Sequence, residues 1–378
     1  MKRVLLLSTV HPSADPRIVY KIAPALARHY QVFCALPEAE KHVAANSVTM
    51  VRLPHFQALL LRILFCHPVV FWKFLRVRPD LVHIFVPELL PLAFIFSLLG
   101  SRVIYEVQEN LYKKFSIKRY NNAALYRQLF HFFDHAARRR FYCIFTEQAY
   151  LQEYINLKHA FALIRNYASI PFIDAHAGNN CNENGSVRFF YSGVISIERS
   201  FDVLVAALAK LKTQYPDFRV HLFGPIRVEK KELHRLPGFD DVQNNLIFYG
   251  YTDQKKALSY AAGCVAGIAL LKPVADYPDS YTTKLFEYMA LKLPVITSDF
   301  VIYKEIVDKS GCGFCISPYD ADALFHSLRL LTENPGLRSE MADNGRKSVE
   351  INYNWISEEK SLISFYKEIL KSRAPVEF

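Results

Sequence analysis

The chain has 378 residues, of which 51% are hydrophobic and 22% charged, and its formal net charge is +10. This length predicts two or three domains, and the composition excludes disordered, low-complexity and fibrous proteins. No stretch free of charged residues reaches the roughly 18 residues that a membrane-spanning helix needs. Seven scattered cysteines are typical of a reduced, cytoplasmic protein.

Positive charge is concentrated in the first half of the chain. Residues 1–170 carry 22 Lys and Arg against 10 Asp and Glu, whereas the remainder carries 24 against 26. Such asymmetry predicts an anionic partner, either membrane lipid or nucleic acid, or else an ordinary solvated surface. Because the chain shows no nucleic-acid recognition motif, we expect no nucleic-acid partner.

Short β-branched and aromatic runs alternate with longer helical patterns, which predicts a parallel α/β architecture. Strands are predicted in the first half at residues 3–8, 31–35, 49–53, 81–85, 103–107, 143–146 and 162–165. In the second half they are predicted at 188–191, 219–223, 246–249, 267–271, 295–297 and 313–316. The clearest predicted helices are 17–29, 123–141, 201–215, 320–333 and 356–371.

Two Rossmann-like α/β domains follow from these two series of strands. The N-terminal domain is predicted at 1–170 and the C-terminal domain at 187–355, joined by a polar, turn-rich linker at 171–186. Ligands bind at the carboxyl ends of parallel strands, so two facing domains of this kind predict a site in the cleft between them.

Two common nucleotide motifs are absent from the sequence. The chain has no Gly-x-Gly-x-x-Gly after its first strand and no Gly-x-x-x-x-Gly-Lys-Ser/Thr loop. Their absence argues against a dinucleotide oxidoreductase and a P-loop enzyme. Cys312 and Cys315 form an isolated C-x-x-C, which two buried strand cysteines explain.

The most informative segment is residues 276–299. Turn residues lead into Thr282 and Thr283, which are predicted to cap a helix at 284–289. A loop that enters a helix N-terminus in this way is typical of an anion site. Asp279 and Glu287 are each explained by an ordinary cap or surface charge, but together they predict contacts with one ligand. We identify no Asp-x-Asp motif in the chain, so no metal ion is expected.

This segment resembles the carboxylate-x7-Glu motif of retaining nucleotide-sugar glycosyltransferases of family 4, which have the two-domain GT-B fold. Two positions depart from the family pattern: Lys292 replaces a glycine, and Asp279 replaces the first glutamate. The resemblance also implies that a C-terminal helix, about residues 356–378, packs back onto the first domain. The matching residues are Lys284, Glu287, Met289, Ala290, Pro294 and Val295.

The resemblance implies that the second domain binds the donor. Arg199 matches the basic residue that clamps the diphosphate, a task for which a guanidinium offers a planar fork of donors. A second basic residue of the family is Val194 here. Gly224 and Tyr249 match strand ends where the nucleoside usually lies. The other expected donor contacts are Ser280, Thr282, Thr283, Lys284 and Glu287.

The first domain resembles a bacterial subgroup of the family. Residues 11–18 are similar to its first loop, which makes Asp15 and Arg17 candidate substrate-binding residues. The family histidine near the reacting sugar is Gln108 here, and an amide cannot titrate or become cationic. Glu109 is retained and is a candidate acceptor-side base. The change at Gln108 implies reduced activity, altered acceptor chemistry, or no loss if the histidine only orients the donor.

Taken together, these features predict a cytoplasmic, metal-independent, retaining glycosyltransferase without a cofactor. The expected donor is a UDP- or GDP-sugar, and the expected acceptor is a lipid-linked or other saccharide in cell-envelope polysaccharide biosynthesis. Catalytic roles are expected for Gln108, Glu109, Asp279 and Arg199. Two alternatives stay open: a GT-B nucleotide-sugar epimerase, and a catalytically silent subunit that only binds nucleotide sugar.

Residues 56–78 mix large apolar residues with four basic ones, Arg62, Lys73, Arg76 and Arg78. This pattern predicts peripheral contact with the anionic inner face of the cytoplasmic membrane. The alternative is that the apolar residues are ordinary core faces. Pro68 predicts two short helices in place of one. Further basic residues that would widen the surface are Lys113, Lys114, Lys118, Arg119, Arg138, Arg139 and Arg140.

Overall fold

The structure, a computed structural model, describes residues 1–40, 47–114, 123–178 and 187–371. The chain divides into two compact units, one formed by Met1–Asn166 with the C-terminal segment from Trp355, and one by Tyr167–Asn354. The predicted linker is wrong over its first part, because Ile170–His176 form a helix of the second unit. Residues 179–186 lie outside the described residues.

Each unit contains one sheet of parallel strands. The first sheet has the strand order β3-β2-β1-β4-β5-β6-β7, and the second has β10-β9-β8-β11-β12-β13. The strands are β1 (Arg3–Leu7), β2 (Gln31–Pro37), β3 (Val48–Leu53), β4 (Leu81–Ile84), β5 (Arg102–Val107), β6 (Tyr142–Phe145), β7 (Phe161–Leu163), β8 (Arg188–Ser192), β9 (Arg219–Phe223), β10 (Leu246–Gly250), β11 (Ala266–Ala269), β12 (Val295–Ser298) and β13 (Gly313–Ile316).

Helical segments connect most of the consecutive strands in both units. Two π-helical turns occur at Ile18–Ile22 and Arg62–Cys66, and 3₁₀ turns include Ile197–Arg199 and Tyr277–Asp279. The α-helices are α1 (Ala23–Ala27), α2 (Leu59–Leu61), α3 (His67–Val77), α4 (Leu90–Leu98), α5 (Leu111–Lys114), α6 (Ala123–Arg140), α7 (Ile170–His176), α8 (Phe201–Lys212), α9 (Lys230–Leu233), α10 (Phe239–Val242), α11 (Gln254–Leu258), α12 (Thr283–Ala290), α13 (Val301–Ser310), α14 (Ala321–Glu333), α15 (Pro335–Asn352) and α16 (Trp355–Lys371).

The central strands of both sheets are buried on both faces, which explains their nearly continuous apolar runs. In β1, Val4 and Leu6 pack in the cluster that contains residues of α16, whereas Leu5 and Leu7 pack in the cluster that contains residues of α3, α4 and α6. This alternation follows from the two-residue period of a strand. Helix α16 therefore completes the core of the first unit.

The segment around Pro68 differs from its prediction. Helical structure continues from Leu59 to Val77 and changes to π-helical spacing at Arg62–Cys66. Pro68 consequently lies in the first turn of α3, where its missing N–H and its ring are tolerated. The proline changes the type of helix without breaking it into two.

Candidate active site

The site in the second unit begins at the carboxyl ends of β8 and β11, which lie side by side in the sheet. From β8 the chain continues to β9 on one side, and from β11 to β12 on the other, so the two loops diverge here. Such switch points are where parallel sheets bind ligands. A depression with an empty volume of about 190 Å³ lies at this place, lined by Tyr191, Ser192, Arg199, Ile268, Ala269, Leu270, Leu271, Thr282 and Lys284.

Two cations converge over the backbone of Gly193, which follows β8 directly. Gly193 has a φ of 148°, and a Cβ there would lie 2.6 Å from Lys284 Cε and 3.1 Å from Arg199 Nη1. A Cβ at this position would therefore displace the ends of both side chains, and the positive φ also favours glycine. The structure brings together Arg199, the residue predicted to clamp the donor diphosphate, and Lys284, one of the other expected donor contacts.

The ammonium of Lys284 lies in an electrostatically unfavourable place. Burial, followed by the positive charge of Arg199, lowers the pKa of Lys284 to about 8, against a smaller opposite effect of Glu287. Among the described residues, neither Arg199 nor Lys284 forms an ion pair with a carboxylate within salt-bridge distance. The pair is therefore suited to an anionic ligand, which would stabilise both charges.

Lys272, a residue that sequence reasoning missed, stabilises the loop that carries Arg199. The backbone N–H of Lys272 donates to Glu198 O at 2.9 Å, and its Nζ lies 2.7 Å from Asp202 Oδ2. Ser200 follows Arg199 in the left-handed region, with a φ of 53°. These contacts fix the short turn from which the guanidinium projects.

The two predicted carboxylates lie on different local structures. Asp279 ends the 3₁₀ turn Tyr277–Asp279 and is half-buried, as is Glu287 on α12. Glu287 Oε1 accepts a hydrogen bond from Gln254 Nε2 at 2.7 Å. Sequence reasoning also missed Gln254, the first residue of α11. Gln254 and Glu287 are 33 residues apart in the sequence, so no local pattern indicates their contact.

The N-terminus of α12 is built differently from its prediction. Thr282 is the N-cap residue, but its side chain makes no capping hydrogen bond. Its backbone N–H donates to Tyr303 Oη at 3.2 Å, and Tyr303 Oη donates to Ser280 O at 3.0 Å. Tyr303 thus holds the loop before the helix. The N–H groups of the first turn, including those of Thr283 and Lys284, have no partner within an α-helix.

Tyr288 ties the two central strands together beneath the site. It is fully buried, accepts a hydrogen bond from Ser192 N at 2.9 Å and donates to Ile268 O at 3.4 Å. A Cβ at Gly267 would lie 2.3 Å from the Tyr288 ring, so the glycine makes room for the tyrosine. The end of β8 is thereby fixed relative to β11.

The two residues predicted near the nucleoside pack within the protein. A Cβ at Gly224, whose φ is 146°, would lie 1.9 Å from Gly193 O, so this glycine permits close backbone packing beside the site. The Tyr249 ring stacks on Phe223 at a centroid distance of 4.2 Å, and its hydroxyl lies 3.0 Å from His221 Nδ1. Their contact with a nucleoside stays a prediction.

In the first unit, Asp15 and Arg17 have clear structural partners. Asp15 Oδ1 accepts the backbone N–H groups of Arg17 and Ile18 at 3.0 and 2.9 Å. Arg17 is only 4% exposed; its Nε donates to Glu106 Oε1 at 2.7 Å and its Nη2 to Ile164 O at 2.9 Å. Both side chains shape the first loop, and their contact with a substrate stays a prediction.

Glu106 is the centre of a buried polar cluster and was missed by sequence reasoning. Besides Arg17, it accepts a hydrogen bond from Gln108 Nε2 at 2.6 Å, and His83 Nε2 lies 3.1 Å from its second oxygen. Burial alone would raise the pKa of the Glu106 carboxyl, but Arg17 and His83 hold it well below its usual range. The sequence feature that could have revealed Glu106 is a lone carboxylate in the apolar strand β5.

The neighbouring predicted residue Glu109 is exposed.

Comparison with known proteins agrees with this arrangement. Residues 175–348 match the protein family described as Glycosyl transferases group 1. The matched residues all lie within the second unit. They include Arg199 and Lys284, whereas the cluster around Glu106 lies outside them.

Part of the chain is also similar in sequence to a curated protein. A phosphatidyl-myo-inositol mannosyltransferase of Mycobacterium leprae is 27% identical over 167 residues, which are 38% of this chain and 44% of that protein. The chain thus spans less than half the length of that curated relative.

Solved structures share the fold. Sucrose-phosphate synthase from Thermosynechococcus elongatus matches with a TM-score of 0.73 at 17% identity, covering 98% of this chain and 99% of that one. HepE of Anabaena in complex with UDP-glucose matches with a TM-score of 0.69 at 16% identity, covering 97% and 100%. The fold is the two-domain α/β fold of GT-B glycosyltransferases.

Metal ligands do not cluster in the part of the chain that the structure describes, where no group of three or more His, Cys, Asp or Glu could hold an ion. An Asp-x-Asp tripeptide does occur outside the predicted donor segment, at Asp320 and Asp322, and sequence reasoning overlooked it. Asp320 caps α14 by accepting the N–H of Ala323 at 2.8 Å, and Asp322 pairs with Lys210. Both carboxylates thus have structural partners.

Proposed function

We propose that this chain is a retaining glycosyltransferase of family 4 that moves a sugar from a UDP- or GDP-sugar to a lipid-linked or other saccharide acceptor. The observation that carries the proposal is the convergence of Arg199 and Lys284 over Gly193 at the switch point of the second sheet. Support also comes from the match of residues 175–348 to the family Glycosyl transferases group 1 and from the similar fold of HepE, which was solved with UDP-glucose.

The chemistry follows from where charge develops. When the bond between the sugar and the diphosphate breaks, positive charge grows on the sugar, as in glycoside hydrolysis, and negative charge grows on the leaving diphosphate. The guanidinium of Arg199 would bind two diphosphate oxygens at once, and Lys284 would add a second positive charge. Preorganised cations of this kind stabilise the transition state more than the ground state.

The carboxylates would orient the rest of the donor. Glu287 would accept hydrogen bonds from ribose or sugar hydroxyls, and Asp279 from sugar hydroxyls, because ionised carboxylates are acceptors only. Gln254, which donates to Glu287 at 2.7 Å, keeps that carboxylate in place when no donor is bound. We assign no protein nucleophile to the reaction, and the retaining outcome is part of the proposal.

On the first unit, we assign Gln108 and Glu109 to the acceptor side of the reaction. Glu109 is exposed and Gln108 half-buried, so both are accessible to a ligand. An acceptor in cell-envelope polysaccharide biosynthesis agrees with the similarity to a phosphatidyl-myo-inositol mannosyltransferase, whose name includes a lipid.

The test is incubation of the protein with UDP- and GDP-sugars, each with and without a saccharide acceptor and with and without a chelator. We expect product only when acceptor is present, and equal rates with chelator, because Arg199 and Lys284 supply the positive charge. Conversion of the donor without any acceptor would indicate the epimerase. Binding without turnover would indicate the silent subunit. Loss of activity with EDTA, restored by manganese, would contradict metal independence.

We further propose reversible attachment to the anionic inner face of the cytoplasmic membrane through the first unit. Within the described residues, no helix is both long and apolar enough to span a bilayer. Large apolar side chains are nevertheless exposed along residues 59–77, among them Leu60 at 69%, Leu64 at 62% and Trp72 at 48%. The Trp72 ring lies 4.1 Å below Arg76 Cζ. A ring beside a cation suits the interface between headgroups and acyl chains.

Two other helices of the same unit also expose large apolar side chains. Helix α4 exposes Leu98 and α6 exposes Phe132, both by more than half. In contrast, two of the predicted basic residues are occupied elsewhere. Arg62 binds Glu88 through two nitrogens at 2.8 Å each, and Arg138 is buried beside Asp134. Lys118 and Arg119 lie outside the described residues.

A further inference from the structure

A continuous row of hydrogen-bonding groups joins the end of β1 to the end of β5. Ser8 Oγ lies 2.8 Å from His11 Nδ1, and His11 Nε2 lies 3.1 Å from Gln108 Oε1. Gln108 Nε2 in turn lies 2.6 Å from Glu106 Oε1. The row connects the first loop of the unit with the residue that we assign to the acceptor side.

The direction of each hydrogen bond follows from the buried end of the row. Glu106 is ionised beside Arg17 and can only accept, so the atom of Gln108 that faces it is the amide nitrogen. The amide oxygen therefore faces His11 and needs a donor there. In the neutral imidazole, the hydrogen must then lie on Nε2, which leaves Nδ1 to accept the hydroxyl hydrogen of Ser8.

The Ser8 end agrees with this assignment. Its oxygen accepts the backbone N–H groups of Val10 and His11 at 3.2 and 3.1 Å, so its hydroxyl hydrogen is the group directed at the imidazole. All the bonds in the row therefore point the same way, from Ser8 to Glu106. Every donor and acceptor in the row has a partner only when the hydrogen bonds run in this direction.

The foundation of the row is rigid. Glu106 and His83 are fully buried, and His83 Nδ1 lies 2.6 Å from the hydroxyl of Tyr366 on α16. Arg17 also donates to Ile164 O, which follows β7. Because these partners come from separate elements of the core, Glu106 has little freedom to reorient.

We propose that His11 and Glu106 are positioning residues that hold the Gln108 amide in a single orientation. An amide nitrogen carries two hydrogens and Glu106 accepts one, so the second N–H is the group that Gln108 offers to a ligand. It would bind a hydroxyl or carbonyl oxygen of the sugar or acceptor as a hydrogen-bond donor. This inference rests on the proposed function for the identity of that ligand, but not for the orientation itself.

The orientation is tested without any substrate. NMR of the full-length protein labelled with ¹⁵N and ¹³C in histidine distinguishes the two neutral tautomers of His11. We expect the hydrogen on Nε2 in the wild type and a changed His11 signal in Gln108→Ala, with the exposed His29 unchanged as an internal control. A hydrogen on Nδ1, or a His11 signal unaffected by Gln108→Ala, would overturn the proposal.

A double-mutant cycle on donor turnover tests the consequence, with UDP-glucose as the probe. We expect His11→Phe to lower kcat about tenfold at unchanged KM for the donor, as for one lost orienting hydrogen bond. The same change in a Gln108→Ala background should have no further effect. His11→Gln, which still offers an N–H, should recover part of the rate, and His29→Phe should match the wild type.

The outcomes separate the two claims. Equal loss from His11→Phe in both backgrounds would mean that His11 acts independently of Gln108, and would overturn the positioning role. If the wild-type protein turns over no UDP-glucose, the proposed function fails for this donor, and the tautomer of His11 alone decides on the orientation.

Discussion

The charged residues near the strand ends are paired differently in the two units. In the first unit, Arg17 and Glu106 neutralise each other, with 4% and 0% of their side chains exposed. In the second unit, Arg199 and Lys284 carry like charge and converge at a partly buried site. Charge that the protein neutralises itself belongs to its framework, whereas like charge left at a switch point indicates an anionic ligand.

The largest expected effect is a loss of stability when the buried ion pair of the first unit is removed. Glu106→Gln leaves Arg17 buried without a counter-charge, and we expect a loss of about 3–5 kcal/mol in the free energy of unfolding. Both tryptophans, Trp72 and Trp355, lie in this unit, so urea unfolding followed by their fluorescence reports on it. The matched control is Asp322→Asn, which breaks an exposed ion pair in the second unit and should leave the fluorescence transition unchanged.

The same variant should also change how stability depends on pH. The pKa of Glu106 is lowered in the folded state, so its contribution to stability is present at neutral pH and is lost as pH falls below about 4.3, the ordinary value for glutamate. Glu106→Gln should remove this part of the acid dependence. A variant as stable as the wild type at neutral pH would contradict the framework role.

A second prediction concerns the pH dependence of nucleotide binding by the second unit. Because the pKa of Lys284 is about 8 in the free protein, the side chain loses its charge as pH rises through that value. A bound diphosphate favours the protonated form, so affinity for UDP should fall several-fold, at most about tenfold per pH unit, above pH 8. Calorimetric titrations should show this fall in the wild type and none in Lys284→Met.

A third prediction concerns the membrane surface. Replacing Lys73, Arg76 and Arg78 by Ser should weaken binding to anionic vesicles by about 1 kcal/mol per residue, and added salt should weaken wild-type binding. The matched control replaces three basic residues of the second unit, Lys230, Lys231 and Arg235. Flotation with neutral and anionic vesicles measures the effect. Equal recovery with both vesicle types would refute the attachment.

The smallest expected effect concerns the turn after α12. Lys292 has a φ of 57°, in the left-handed region, so Lys292→Gly should raise the free energy of unfolding by about 1 kcal/mol. Lys309→Gly, at an exposed position inside α13, should lower it by a similar amount. Calorimetric unfolding compares the two variants, and a destabilising Lys292→Gly would show that this backbone position is not strained.

Local patterns in the sequence predict much of the fold. The apolar run at the start of the chain predicts β1, and the turn before Lys284 predicts α12, because both depend on neighbouring residues. The resemblance of residues 191–200 and 276–299 to a known family likewise predicts that Arg199 and Lys284 share one site, although 85 positions separate them in the numbering.

The missed features depend on contacts between distant positions. Arg17 meets Glu106 across 89 positions, and His83 meets Tyr366 across 283, so no local pattern marks these pairs. The prediction of two helices at Pro68 was wrong because a change to π-helical spacing, which accommodates the proline, has no clear sequence signal. The framework of the first unit is therefore harder to predict than the site of the second.

The most direct measurement is calorimetric titration of UDP and GDP into the wild type, Arg199→Ala and the control Arg235→Ala, an exposed arginine of the same unit. The wild type and the control should bind at least one of the two nucleotides with equal affinity. Arg199→Ala should lose roughly 1.5–3 kcal/mol of binding free energy, as for one charge-assisted contact, while its unfolding temperature stays unchanged. Equal affinity in Arg199→Ala and the wild type would contradict the diphosphate site.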